Sequence, residues 1–166
     1  MAMRVQKEIS ETVCFTGHRH LSMTERQLEE KVADLIMRAI KQGYTHFISG
    51  GAVGFDTIAA EQVIMIKDLA NNGITAPITL EIAVPCENQT RGWSKRQRQR
   101  YEYILAQADI VNEAKVPYSP HAMHMRNKYM VIKSALVITY FTGKNGGTKN
   151  TLEFAENQGC EIWRIE

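Results

Sequence analysis

Short β-prone runs alternate with helix-length amphipathic segments along this chain, and most runs pass into their helix through a glycine-bearing or polar loop. The first run, residues 12–16, ends at Gly17-His18-Arg19-His20. Behind a cap at Ser22 or Thr24, Leu28, Val32, Leu35, Ile36, Ala39 and Ile40 recur at helical spacing, and Gly43 supplies the stop. The unit repeats with a strand at 44–49, a glycine turn at 50–54 and a helix over 56–70. A strand at 77–84, a loop at 85–92 and a helix over 94–107 follow, the last with Tyr101, Ile104 and Leu105 facing inward. A short strand at 109–111, a helix over 121–133, a strand at 135–140, a helix from near Thr148 to Gly159 and a strand at 161–165 complete the series. Parallel strands cannot be joined by tight hairpins, so each crossover needs a helix, and helices on both faces bury the sheet. The expected fold class is α/β, a three-layer sandwich with a mostly parallel central sheet, forming one domain over residues 1–166. Such a sheet places its ligand beside the carboxyl ends of the strands, where strand order reverses.

Composition removes several alternatives. At 166 residues, 44% apolar and 23% charged, the chain can bury a core and is not a disordered or fibrous sequence. A formal charge of +2 gives no general attraction to nucleic acid, which would need a local basic patch. Apolar runs are too short to span a bilayer, so no membrane partner is expected. The amino-terminal residues, including Arg4, Lys7 and Glu8, lack the apolar stretch and cleavage site of a secretory leader, and a cytoplasmic location is expected. Cys14, Cys86 and Cys160 are odd in number and far apart, which argues against a disulfide framework and a zinc site. Cys14 and Cys160 read as buried thiols in or beside strands.

The strand-end loops hold the candidate chemistry. Ser49-Gly50-Gly51-Ala52-Val53-Gly54-Phe55-Asp56 follows a strand and opens a helix, the setting in which backbone N–H groups face an anion. Its glycines permit close approach of a ligand, and equally a tight structural turn. The spacing matches neither the dinucleotide fingerprint nor the P-loop. Asp56 suits a helix cap, or an acceptor for a ribose hydroxyl or base amine. Gly143, Gly146, Gly147 and Thr148 form a second such loop beside Lys144 and Lys149, and Thr148 suits a cap and a phosphate contact alike. Arg19 offers a planar donor fork for phosphate or carboxylate. His18 and His20 lack the further ligands of a metal site, and no metal is expected. Trp93 is placed to stack on a base or to pack at its helix start. Arg91, Lys95, Arg96, Arg98 and Arg100 crowd that same start, where cations oppose the helix dipole. They are either solvated or drawn to phosphates. Arg126, among the apparent core residues Met123, Met130 and Val131, is a surface charge or the charge of a pocket wall.

Five stretches carry a likeness when taken together: Phe15-Thr16-Gly17-His18-Arg19; Phe47 through Asp56 with Ala59, Ala60 and Glu61; Gln89, Trp93 and Tyr101; Arg126-Asn127-Lys128-Tyr129-Met130-Val131; and Gly146-Gly147-Thr148. In this order they resemble the YpsA-like branch of the SLOG superfamily, over nearly the whole chain from about Thr12 to Trp163. The resemblance implies a Rossmann-like fold that binds or senses a nucleotide or a nucleotide-derived small molecule. The superfamily includes the DNA-processing protein DprA and the cytokinin-activating phosphoribohydrolases. Ligand contacts are implied at Gly17, Arg19, Ser49, Gly50, Gly51, Gly54, Asp56, Gln89, Trp93, Asn127, Gly146, Gly147 and Thr148. A nucleotide, NAD or an ADP-ribose derivative is the implied ligand, with no certain cofactor.

Met123-His124-Met125-Arg126-Asn127 is similar to the Met-His-x-Arg-Lys stretch of the phosphoribohydrolases, whose Arg is considered catalytic. This implies an alternative function, an N-glycosidase acting on a nucleoside monophosphate or related derivative. Arg126 would hold phosphate or transition-state charge and Glu153 would assist water. The glycine loop departs from that branch, because the residue three beyond Thr148 is Thr151 and the nearest acids are Glu153 and Glu156. DNA binding of the DprA type, through the basic run at 91–100, ranks behind both readings. A homodimer is compatible with the methionine-rich segment 123–130, which supplies either an apolar helix face or core.

Overall fold

The computed structural model describes residues 7–165, so the part of the leader argument that rests on Arg4 lies outside the described residues. Six strands and five α-helices alternate: β1 (Thr12–Gly17), α1 (Glu25–Lys41), β2 (His46–Ser49), α2 (Phe55–Asn71), β3 (Thr79–Val84), α3 (Lys95–Gln107), β4 (Ile110–Glu113), α4 (Pro120–Ile132), β5 (Leu136–Tyr140), α5 (Gly147–Asn157) and β6 (Glu161–Arg164). The strands form one parallel sheet in the order β4-β3-β2-β1-β5-β6. The α/β class with a parallel central sheet between helical layers is therefore the observed one, and it is Rossmann-like.

Boundaries differ from the sequence pattern for local reasons. The third strand begins at Thr79, paired with His46, rather than at Pro77, whose ring nitrogen has no hydrogen to donate to a ladder. The fourth strand runs on to Glu113 because it follows β3 as far as Val84. Pro120 opens α4 at its first turn, where a missing N–H costs nothing, and the Ser119 hydroxyl accepts from the Ala122 N–H at 3.0 Å. Thr24, not Ser22, caps α1: its hydroxyl accepts from the Gln27 N–H at 3.1 Å, and the Gln27 side chain accepts from the Thr24 N–H at 3.0 Å. Ser22 instead donates its N–H to the Tyr140 hydroxyl at 2.8 Å.

Buried strand residues alternate between two cores. Val13, Phe15, Phe47, Leu80, Ile82, Leu136 and Ile138 face the layer of α1, α2 and α3. Cys14, Ile48, Ala83 and Val137 face the layer of α4 and α5. Cys14 is a buried thiol as expected, whereas Cys160, the residue before β6, is only half-buried.

A polar chain on the α4 side of the sheet runs from the buried His46–Glu81 pair out to the exposed Asn112. His46 bridges the Thr79 hydroxyl at 2.7 Å and the Glu81 carboxylate at 2.9 Å. Tyr129 of α4 donates to the other Glu81 oxygen at 2.7 Å, and Asn112 of β4 donates to the Tyr129 hydroxyl at 2.8 Å. Burial pushes the Glu81 carboxyl up, but the hydrogen bonds from His46 and Tyr129 and the His46 charge outweigh it and leave the carboxyl below its ordinary pKa. Removing the carboxylate leaves the buried His46 ring without its Nε2 partner. Glu81→Ala should cost about 3–5 kcal/mol in urea unfolding at neutral pH. Because the folded pKa is depressed, Glu81 contributes stability above the ordinary carboxylate range and loses it as pH falls through the lowered value. The gap between wild type and variant should accordingly shrink in acid, and a gap that ignores pH would show that the carboxylate charge has no part in holding β3 to α4.

Candidate functional site

Strand order reverses between β1 and β5, so the loops leaving these strands lie side by side. The His18 N–H donates to the Tyr140 carbonyl at 3.3 Å, and His18 Nε2 accepts from the Thr142 N–H at 3.0 Å. That acceptor role leaves the ring proton of the neutral imidazole on Nδ1. Burial, with Lys144 nearby, holds the His18 pKa below its ordinary value. On the other side the Phe55 N–H donates to the His18 carbonyl at 3.2 Å. Two glycines allow this junction. A Cβ on Gly17 would enter the Phe55 ring, and one on Gly54, whose φ is +86°, would enter the Arg19 backbone. The Arg19 side chain is exposed and lines a polar cleft of about 220 Å³ together with Thr57, Ser94 and Arg96.

A second assembly lies under the end of β2. Ala122, Arg126 and Met130 recur every four residues on α4 and are all buried, so Arg126 sits in the sheet-facing stripe with only 8% of its surface exposed. Met123, by contrast with its expected core role, is only half-buried. Arg126 Nη1 donates to the Gly50 carbonyl at 2.7 Å, to Gln89 Oε1 at 3.3 Å and to the Ala83 carbonyl at 3.4 Å, and Nε donates to Asn127 Oδ1 at 2.9 Å. Gln89 donates in turn to the Gly50 carbonyl at 3.3 Å and to the Tyr101 hydroxyl at 3.2 Å. A Cβ on Gly50 would stand 2.5 Å from Arg126 Nη1 and 2.9 Å from Asp56 Oδ2, so only glycine admits the guanidinium here. Gly51 lies against Tyr101, and Trp93 meets the Tyr101 ring edge-on at 5.4 Å between centroids. Ser49 is enclosed, donating to the Asp56 carbonyl at 3.0 Å and accepting from the Gly51 N–H at 3.2 Å.

Asp56 is not a helix cap: Gly54 occupies that position, and Asp56 is the second residue of α2. Burial pushes its carboxyl up to about 6, with the Arg126 charge, the Ala52 N–H and the Arg19 charge offsetting this only in part. Burial also draws the Arg126 guanidinium below its ordinary pKa, against the pull of Asp56. Among the described residues Arg126 forms no ion pair. The site thus combines a buried cation without a paired anion and a carboxyl poised near neutrality.

The remaining expected residues are distributed elsewhere. Gly146 occupies the cap position of α5, so Thr148, the second residue of that helix, does not cap it. No atom lies within 4 Å of a Cβ placed on Gly143, Gly146 or Gly147, which leaves this loop open to solvent. Glu153 is exposed on α5, 3.9 Å from Lys149, with no contact to the Arg126 assembly among the described residues. Within the basic run, Arg100 is a structural clamp: Nε and Nη2 donate to Glu61 of α2 at 3.1 and 2.5 Å, and Nη1 donates to Glu25 of α1 at 2.9 Å. Arg91, Lys95, Arg96 and Arg98 are exposed. No group of three His, Cys, Asp or Glu among the described residues is placed to hold a metal ion, and no described helix is long and apolar enough to cross a membrane. Sequence spacing gave no sign of the Gly50–Gln89–Tyr101 linkage or of the elevated Asp56 pKa, since both arise from contacts between distant elements.

Residues 13–166 match the model of the YspA SLOG family, YpsA. The chain is 31% identical over 157 residues to the SPbeta prophage-derived protein YoqJ of Bacillus subtilis, with 86% of this chain and 89% of that protein covered. It is 31% identical over 146 residues to the UPF0398 protein BH1768 of Halalkalibacterium halodurans, covering 86% and 72%. Its fold is similar to DNA processing protein A of Streptococcus pneumoniae, with a TM-score of 0.63 at 18% identity over 93% of this chain and 50% of that one. The corresponding protein of Helicobacter pylori gives a TM-score of 0.64 at 18% identity over 92% and 64%. The chain therefore spans half to just under two thirds of those two structures, and the likeness to them concerns the fold. With the family match running from β1 to the carboxyl end, this chain belongs to the YspA SLOG family.

Proposed function

We propose that this protein binds or senses a nucleotide or a nucleotide-derived small molecule, such as NAD or an ADP-ribose derivative, at the carboxyl rim of its sheet. The observation that carries this reading is the junction at the β1–β5 reversal. There the open glycine start of α5 stands beside a loop that His18 fastens to Thr142 and that ends in the exposed Arg19. A helix start with unfilled space offers backbone N–H groups and a positive dipole end to phosphate, and Arg19 adds a charged fork. Gly146, Gly147 and Thr148 supply the phosphate contacts in this reading. Gly17, Gly54 and Ser49 shape the rim, while Gly50, Gly51, Asp56, Gln89, Trp93 and Asn127 form its β2 side around Arg126.

Calorimetric titration with AMP, NAD and ADP-ribose tests it. At least one compound should bind and raise the melting temperature. Gly147→Glu, in open space where the fold has room for the side chain, should abolish that binding by setting a carboxylate where the phosphate rests. Arg19→Ala should weaken it by about tenfold, the scale of one charge-assisted hydrogen bond. Failure of every compound to bind, or full binding by Gly147→Glu, would remove the reading.

The alternative is an N-glycosidase, and it draws support from Arg126 and Asp56: a buried cation for developing charge beside a carboxyl near pH 6, where proton transfer is efficient. Free base should then appear from a nucleoside monophosphate and vanish in Arg126→Ala, while Glu153, exposed on α5 beside Lys149, is too far from Arg126 to assist water there. The pH profile should carry a limb near 6 that Asp56→Asn deletes. An intact nucleotide after prolonged incubation leaves binding alone. The Helicobacter pylori protein is described for its single-stranded DNA binding mode. Retention of single-stranded DNA that falls steeply with salt and disappears in Arg96→Glu/Arg98→Glu would replace the small-molecule reading.

A further inference from the structure

We propose that the cavity bounded by the ends of β3 and β4, the 114–119 loop and α4 is a binding site for a small organic anion with a flat apolar body, paired to Arg126. The cavity encloses about 610 Å³, within the range of small-molecule sites. Its walls are apolar, formed by Val84, Pro85, Ala114, Val116, Pro117 and Met125. Val116 and Met125 stand at its mouth, 42% and 50% exposed.

Arg126 lines this cavity and is more than nine-tenths buried. Its Nη1 and Nε are occupied by Gly50, Gln89, Ala83 and Asn127, whereas Nη2 donates to no acceptor among the described residues. Thr139 Oγ1 is the one fully enclosed side-chain polar atom without a partner among those residues, so the unpartnered Nη2 still reaches accessible space. Arg126 thus lines a largely apolar chamber while two of its N–H groups have no acceptor among the described residues. A desolvated cation in that position is costly, and an anion that enters with its own apolar body relieves the cost while displacing water from the walls. Low surrounding polarity strengthens the resulting pair.

No carboxylate lines the cavity; its polar lining besides Arg126 is Asn112, Ser119, His121 and Tyr129. Asn112 and Tyr129 face the cavity but are committed to each other and to the buried Glu81–His46 pair. Their order makes a rigid wall, which favours a planar ligand of fixed orientation. None of the α5-start residues invoked for phosphate lines this cavity, and the two proposals meet only at Arg126, on the β2 side of the rim.

1-Naphthoate, with 1-naphthamide as its neutral counterpart of the same shape, tests the proposal by isothermal titration against the full chain. The carboxylate should bind with a stoichiometry of one and at least about tenfold more tightly than the amide, as expected for a charge-assisted fork. Arg126→Leu should lose this preference. Because that variant removes the Arg126 bonds to the Gly50 and Ala83 carbonyls and can fail to fold, Met125→Glu serves beside it: the position is half exposed, and the new carboxylate should cut naphthoate affinity at least about tenfold while the melting temperature holds. Absence of naphthoate binding, equal binding of acid and amide, or unchanged affinity in Met125→Glu would overturn the proposal. Neither probe contains ribose or phosphate, so the result stands apart from that of the nucleotide titration.

Discussion

The pairing of β5 with β1, rather than with β4, organises the molecule. Five residues of each strand stay in parallel register, from Val13 opposite Leu136 to Gly17 opposite Tyr140. After β4 the chain has already moved outward through β2 and β3 with its helices on one face. To reach the free side of β1 it must return across the sheet, and a right-handed crossover in that direction places α4 on the opposite face. The reversal therefore fixes three things at once: adjacent loops after β1 and β5, a second helical layer of α4 and α5, and β4 as an exposed edge.

Because α4 returns over the sheet, its side chains meet strands far from it in sequence. Arg126 reaches β2 and β3 through the Gly50 and Ala83 carbonyls, and Tyr129, three residues on, reaches Glu81. The two polar groups are treated in opposite ways. Tyr129 enters a chain in which Asn112, Glu81, His46 and Thr79 satisfy one another, the condition under which burying a carboxylate is tolerable. Arg126 receives neutral carbonyl and amide acceptors but no paired carboxylate, while burial pushes the carboxyl of nearby Asp56 up to about 6. One helix thus carries a satisfied structural network and an unsatisfied charge side by side.

The α/β class and the order of elements were legible because each strand is bounded by turn residues and each helix by a cap or a glycine. Leu28, Val32, Ile36 and Ile40 mark the buried face of α1 through spacing alone, and all four are buried. Strand order was not legible, since buried parallel strands carry apolar residues on both faces and the pattern does not say which neighbours they choose. The same gap hid the fate of single residues. Arg100 stands in a run of cations, yet its partners Glu61 and Glu25 come from two other helices. Asp56 at a helix start looks like a cap, but the chain reaches Gly54 first and turns there with positive φ. Glu81 lies in an apolar strand, and only the return of α4 gives it Tyr129.

The glycines show most clearly why a motif and a site are different objects. In sequence, Gly17, Gly50, Gly54, Gly146 and Gly147 all mark strand-to-helix loops and invite one explanation. In space they divide. At Gly17, Gly50 and Gly54 a Cβ would meet Phe55, Arg126 and the Arg19 backbone, so the absent side chain lets one part of the protein approach another. At Gly146 and Gly147 the corresponding volume is empty. The first group sets the positions of Arg126 and of the β1 and β2 loops, and substitution there acts on the fold before it acts on any ligand. At Gly147 a side chain meets no protein atom and its φ is not in the left-handed range, so substitution there tests what approaches from solvent.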